Sequence, residues 1–166
     1  MMKKILSTLF LLSLTACGFT PQYGSSAGTA GYAPVEGLDK VEIAMIPNEE
    51  GVYLRNLLID NFYRGGYPGT PAYVLSVEEI VETNTNLDLT IDSESTRKQI
   101  KLRTVMRLKD KSTGQDVLKR DLRAITSYNV LGSQFTTRVS EKDAREAALE
   151  DLARQIETQI TLYFKR

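Results

Sequence analysis

Lys98-Gln99-Ile100-Lys101-Leu102-Arg103-Thr104-Val105-Met106-Arg107-Leu108-Lys109 is the stretch from which the fold is read. Ile100, Leu102, Met106 and Leu108 fall on one face of an extended chain, and Lys101, Arg103, Arg107 and Lys109 fall on the other. A period of two is that of a strand, whose successive side chains point to opposite faces. Asp110 to Gln115, with Gly114, reads as a turn. Leu118, Leu122, Ala124, Tyr128 and Val130 then form the apolar face of a return strand. The two strands make an antiparallel hairpin with one buried and one wet face.

Upstream, Val41, Ile43 and Met45 alternate with Glu42 and Ala44, so Lys40 to Ile46 reads as a strand. Pro47-Asn48 ends it, and Asn48 is placed to cap a following helix. Leu54, Leu57, Leu58 and Phe62 lie at helical spacing over Glu49 to Tyr63, and Gly65-Gly66 stops that helix. Tyr73, Leu75 and Val77 alternate into a second strand. The pattern slips at Glu78-Glu79, the mark of a bulge or a change of register. Thr83 to Glu94 reads as strand continuation running into a loop. Downstream of the hairpin, Ser140 with Asp143 resembles a capping box. Ala144, Ala148, Leu149, Leu152, Ala153, Ile156, Ile160 and Tyr163 form one apolar stripe behind it, while Glu141, Arg145, Glu150, Arg154 and Glu157 fall elsewhere. At 1.5 Å per residue this helix is ~36 Å long, enough to cross a sheet. The expected fold is α+β: a two-layer sandwich of one mostly antiparallel, mixed four-stranded sheet with two helices on one face.

The other sheet face then meets water or a partner. Lys101, Arg103, Arg107 and Lys109 line it from one strand, and Lys119 and Arg123 from the next. Like charges directly opposite destabilise a hairpin. Two readings stand: an anion-binding or docking surface, since guanidinium forks suit phosphate, or a solvated face relieved by Asp121. Arg97-Lys98 and Arg138, at strand junctions on the periphery, are candidates of the same kind.

Residues 1–16 carry a different signal. Lys3 and Lys4 precede the apolar run Ile5 to Leu14, and Leu14-Thr15-Ala16-Cys17 follows, with Cys17 the single cysteine. This pattern reads as a bacterial lipoprotein signal peptide cut before Cys17, whose thiol carries diacylglycerol and whose amine carries an acyl chain. The apolar run of about ten residues is half of the ~20 that a spanning helix needs. The alternative, an ordinary cleaved secretory signal, leaves a free thiol in an oxidising compartment. Acyl chains contribute ~0.8 kcal/mol per buried methylene, and two or more give stable anchoring. Gly18 to Asp39, with Gly18, Gly24, Gly28, Gly31, Gly37, Pro21 and Pro34, has no apolar period and reads as a tether reaching roughly 25 Å. The expected organisation is thus signal peptide 1–16, lipid tether 17–39 and one domain 40–166.

Composition excludes several functions. The chain has 21 basic and 21 acidic residues, and loss of Lys3 and Lys4 leaves the mature form at about −2. That balance does not suit nucleic acid. There is no histidine, so no Ser-His-Asp triad and no imidazole for zinc or general-base work. Glu49-Glu50 and Glu78-Glu79 are adjacent in sequence, so on regular elements they point apart. Gly65-Gly66 lacks the Lys-Ser/Thr of a phosphate loop. No enzymatic activity and no cofactor are expected.

The mature start, Cys17-Gly18-Phe19-Thr20-Pro21-Gln22-Tyr23-Gly24, resembles that of the lipopolysaccharide-assembly lipoproteins of the LptE family. The resemblance continues through Ile46-Pro47, Gly51, Leu54-Arg55-Asn56, Thr96-Arg97 and Thr113-Gly114. It is strongest in Ser127-Tyr128-Asn129, Phe135, and Ser140-Glu141 with Asp143-Ala144-Arg145. It implies a sheet with two helices on one side, seated as a plug inside a large outer-membrane β-barrel. It also implies delivery of lipopolysaccharide to the outer leaflet, help in barrel assembly, and a lipid-anchored location on the periplasmic side of the outer membrane. Gly18, rather than Asp, after Cys17 resembles the outer-membrane sorting pattern. A barrel lumen is polar, and Lys and Arg are natural partners of lipopolysaccharide phosphates. Arg97, Lys98, Lys101, Arg103, Arg107 and Arg138 are the candidate contacts by chemistry and placement. The alternative is a free-standing lipid-binding lipoprotein with no barrel, which needs an apolar cavity.

Overall fold

In chain order the elements are a 3-10 turn (Leu38–Lys40), strand β1 (Val41–Ile43), helix α1 (Asn48–Phe62), strands β2 (Tyr73–Val77), β3 (Val81–Leu89), β4 (Ser95–Asp110) and β5 (Asp116–Asn129), and helix α2 (Gln134–Phe164). The computed structural model describes residues 37–64, 66–89, 95–130 and 132–166. The expected signal peptide, Cys17, the rest of the expected tether to residue 36, Gly65, the expected loop at 90–94 and Leu131 lie outside them.

The hairpin is as its alternation requires. β4 and β5 pair antiparallel from Arg97 opposite Asn129 to Lys109 opposite Asp116. Ile100, Leu102, Met106 and Leu108 are fully buried, and Leu118, Leu122, Ala124 and Tyr128 of β5 are buried beside them. β1 pairs parallel with β2, and β2 pairs antiparallel with β4. β3 also pairs antiparallel with β4, on the edge away from β5. β2 and β3 are therefore two halves of one interrupted strand. From Val77 opposite Met106 to Val81 opposite Arg103, four steps on one side meet three on the other. This is the bulge expected at Glu78-Glu79. The mixed sheet has five strand segments in four positions.

Thr104 holds the bulge. It points to the core face at 6% exposure, and its hydroxyl donates to the Glu78 carbonyl at 2.7 Å. The Glu78 N–H donates to the Val105 carbonyl at 2.9 Å. Both polar groups freed by the break are thus used.

Both helices cover the face that buries Leu102 and Leu108. Leu54, Leu58 and Phe62 of α1 join Ala148, Leu149, Leu152, Ala153, Ile156 and Ile160 of α2 in one core with the strands. α1 also closes the sheet edge, where an unpaired strand would invite association. The Tyr63 hydroxyl donates to the Val41 carbonyl at 2.9 Å and accepts from the Ile43 N–H at 3.0 Å. Arg55 donates to the carbonyls of Ala44 and Ile43 at 3.2 and 3.3 Å. Gly51 lets the helix approach: a Cβ there would lie 2.8 Å from Ile46 Cγ2 and 2.9 Å from the Ile46 backbone.

Four expectations change. The first strand is shorter than Lys40 to Ile46, because Lys40 belongs to the 3-10 turn. The core starts earlier, since Leu38, assigned to the tether, is 2% exposed. Asn48 does not cap α1. It sits at φ 65°, and its side chain donates to Glu79 Oε1 at 2.6 Å, while Pro47 takes the cap position. Ser140 and Asp143 lie inside α2, which begins at Gln134 after Ser133. The Ser133 carbonyl accepts from the hydroxyls of Thr136 and Thr137 at 3.0 and 3.1 Å. The first buried residue of α2 is Ala148, so no apolar stripe marks its earlier turns.

Candidate functional site: the cationic sheet face

Odd-numbered positions of β4 and β5 form the face that the helices leave bare. Register makes rows across it: Val81, Arg103, Arg123; Thr83, Lys101, Ile125; Ser76, Arg107, Lys119. Arg97, Lys101, Arg103 and Arg107 share this face. Arg97 Nη2 donates to Ser127 Oγ at 3.2 Å. Lys98 and Arg138 do not belong to it. Lys98 stands opposite Tyr128 on the helix side of the sheet, and Arg138 lies exposed on the early turns of α2.

The cations of the face are not equivalent. Arg107 is bound to Glu78 at 2.6 Å and lies 3.6 Å from Asp116. The Glu78 hydrogen bond leads in pushing its pKa up. Arg107 is thus occupied within the chain. Arg103 stands directly opposite Arg123, and neither side chain forms an ion pair among the described residues. Two facing guanidinium groups without carboxylate partners work against hairpin stability and leave their donor forks free for an external anion. They line a shallow depression of about 340 Å³ beside the bulge, with Val81, Val105 and the acidic Glu78, Glu79 and Asp121. Val81 and Ile125 are exposed on the same face. Alternation along a single strand does not reveal these apolar positions among the cations, because their neighbours lie on other strands.

A second polar centre, on the helix side, was missed. Arg145 Nε donates to Glu82 Oε2 at 2.6 Å, and its Nη2 donates to Glu82 Oε1 at 3.0 Å and Glu141 Oε1 at 2.9 Å. The side chains of Arg145 and Glu82 are 27% and 21% exposed. Hydrogen bonds from Arg145 hold the Glu82 carboxyl below its ordinary range against the opposing effect of burial. Burial, then Glu141, raises the Tyr128 hydroxyl. This clamp fastens α2 to β3. Its one trace in the sequence is the Glu141–Arg145 spacing of four.

A model of the LptE family, described as lipopolysaccharide-assembly, matches residues 38–162. Solved structures share the fold. A lipoprotein from Caulobacter crescentus CB15 is 21% identical, with 78% of this chain and 93% of that one covered, at a TM-score of 0.59. A minor lipoprotein from Acinetobacter baumannii is 24% identical, with 75% and 92% covered, at 0.56. The rare lipoprotein B of Shewanella oneidensis is 10% identical, with 76% and 98% covered, at 0.57. No curated protein matches the chain at the sequence level.

Proposed function

The chain belongs to the LptE lipopolysaccharide-assembly family, and on that premise we propose that it is an outer-membrane lipoprotein that plugs and helps assemble the β-barrel of the lipopolysaccharide translocon. Acylation at Cys17 anchors it on the periplasmic side. Its role is binding and assembly, without catalysis or a cofactor. The observation that carries the reading is the bare sheet face, with Arg103 opposite Arg123.

That face suits a polar lumen. Thr83, Ser76, Gln99 and Ser127 place hydroxyl and amide groups among the cations, which matches a barrel interior of charged and hydrogen-bonding groups. The unpaired guanidinium groups fit phosphate on a passing lipopolysaccharide, and Val81 and Ile125 give apolar contact beside them. Arg107, held by Glu78 and Asp116, shapes the face instead of contacting the ligand.

The test is equilibrium binding of lipopolysaccharide to the mature chain. Arg103→Glu with Arg123→Glu lowers affinity about tenfold or more, while Arg107→Gln has a much smaller effect. Equal binding by the double variant and the parent would remove this face from the mechanism.

A further inference from the structure

The end of the domain at which the chain enters from residues 1–36 is both aromatic and basic. Gly37, at φ 99°, is so close to Phe164 that a Cβ would lie 2.6 Å from its ring. Phe164 packs edge-on against Tyr73 and Tyr163, with ring centroids 5.2 and 5.3 Å away. Tyr63 and Tyr67, at the end of α1, pair at 4.9 Å. The β4–β5 turn reaches the same end, since the Lys111 N–H donates to the Ala72 carbonyl and the Ala72 N–H to the Lys40 carbonyl. Tyr67 is 74% exposed and Leu162 55%.

Lys40, Lys165 and Arg166 are exposed at this end. Of the acids at this end, Glu42 takes Lys111 at 2.9 Å, and Asp110 accepts from the N–H groups of Ser112 and Thr113. Asp39 and Asp60 are exposed and form no ion pair among the described residues. Tyrosines with a wet hydroxyl and an apolar ring are the side chains of a membrane interface. Exposed Lys and Arg beside them match anionic headgroups.

We propose that this end of the domain rests on the anionic phospholipid interface, with Tyr67 and Leu162 entering the headgroup layer and Lys40, Lys165 and Arg166 meeting phosphates. The tether then does more than hold the domain near the membrane; it delivers a docking end to it. The contact is a second, non-covalent signal beside the acyl chains, and stable anchoring gains from two signals. It also orients the molecule. α2 runs its 31 residues from Phe164 at the docked end to Gln134, about 46 Å away, so exposed Phe135 and the β3–β4 end lie at the opposite end of the domain from the docked one. The proposal rests on the lipoprotein reading only for the source of the membrane contact.

The experiment is flotation of the full mature chain carrying Cys17→Ser, which removes the acylation site, on mixed phosphatidylethanolamine–phosphatidylglycerol vesicles. The chain should float with them, less so at high salt, and not with pure phosphatidylcholine. Tyr67→Ser with Leu162→Ser should lower the bound fraction, and Lys165→Glu with Arg166→Glu should lower it about fivefold or more. Circular dichroism matching the parent shows that these surface variants are folded. Two outcomes overturn the proposal: no flotation of the unacylated parent, or flotation lost through Arg103→Glu with Arg123→Glu and kept by both end variants. Mass spectrometry of the native protein separates the two readings, because absence of lipid on Cys17 refutes the lipoprotein reading and not the docking end.

Discussion

Arg145 has three hydrogen bonds to two carboxylates, and it sits where α2 crosses the start of β3. Removing it leaves Glu82 as a poorly solvated charge. Arg145→Ala is expected to destabilise the domain by about 1.5–3 kcal/mol, read from urea unfolding. The pH dependence has a definite sign. The carboxyl of Glu82 has a folded pKa below its ordinary 4.5, so its contribution is complete above that value and is lost as pH falls through the lowered one. As pH falls below 4.5, the parent should lose stability more steeply than Arg145→Ala. Parallel profiles would show that the ion pair is not what fastens the helix. Gly51 gives the opposite lesson about propensity. Alanine favours a helix by about 1 kcal/mol, yet here its Cβ meets the Ile46 backbone. Gly51→Ala should cost a net ~1–3 kcal/mol in thermal unfolding.

The elements show what a sequence makes legible. The β4–β5 hairpin could be read because one face is apolar, broken by Thr104 on β4 and by Arg120 and Thr126 on β5, and the buried stripe of α2 because Ala148 to Ile160 repeats at helical spacing. The bulge was visible as a slip in the alternation, but its closing bond was not, since Thr104 and Glu78 are brought together only by pairing. Thr104→Val keeps the shape and removes the donor to a buried carbonyl, and should cost about 1–2 kcal/mol in thermal unfolding. The start of α2 was misread because Gln134 to Lys142 bury nothing in the core. A direct check is Ser140→Ala: a true cap would lose about 1 kcal/mol, whereas a serine inside a helix changes stability by less than ~0.5 kcal/mol. The candidate site was half legible. Alternation placed Arg103 and Arg107 on one face, but only the register reveals that Arg107 is neutralised by Glu78 while Arg103 faces Arg123. The motif residues Gly51, Arg55, Glu141 and Arg145 that carry the family resemblance prove to hold the fold: a close approach, a closed edge and a clamp.

At the scale of the whole molecule, three surfaces divide the work. The helix layer covers the core; in our proposals the Gly37–Phe164 end meets lipid and the sheet face with Arg103 and Arg123 meets the translocon. A plug has an obligate partner, and a protein stabilised by binding is depleted when that partner is missing. The measurement that tests this most directly is mild-detergent affinity purification of the tagged protein from its own envelope, followed by size exclusion and identification of what remains bound. The account predicts a large β-barrel in roughly one-to-one ratio, diminished by Arg103→Glu with Arg123→Glu. A lone monomer from a native envelope would contradict it and leave a free-standing lipid-binding lipoprotein in its place.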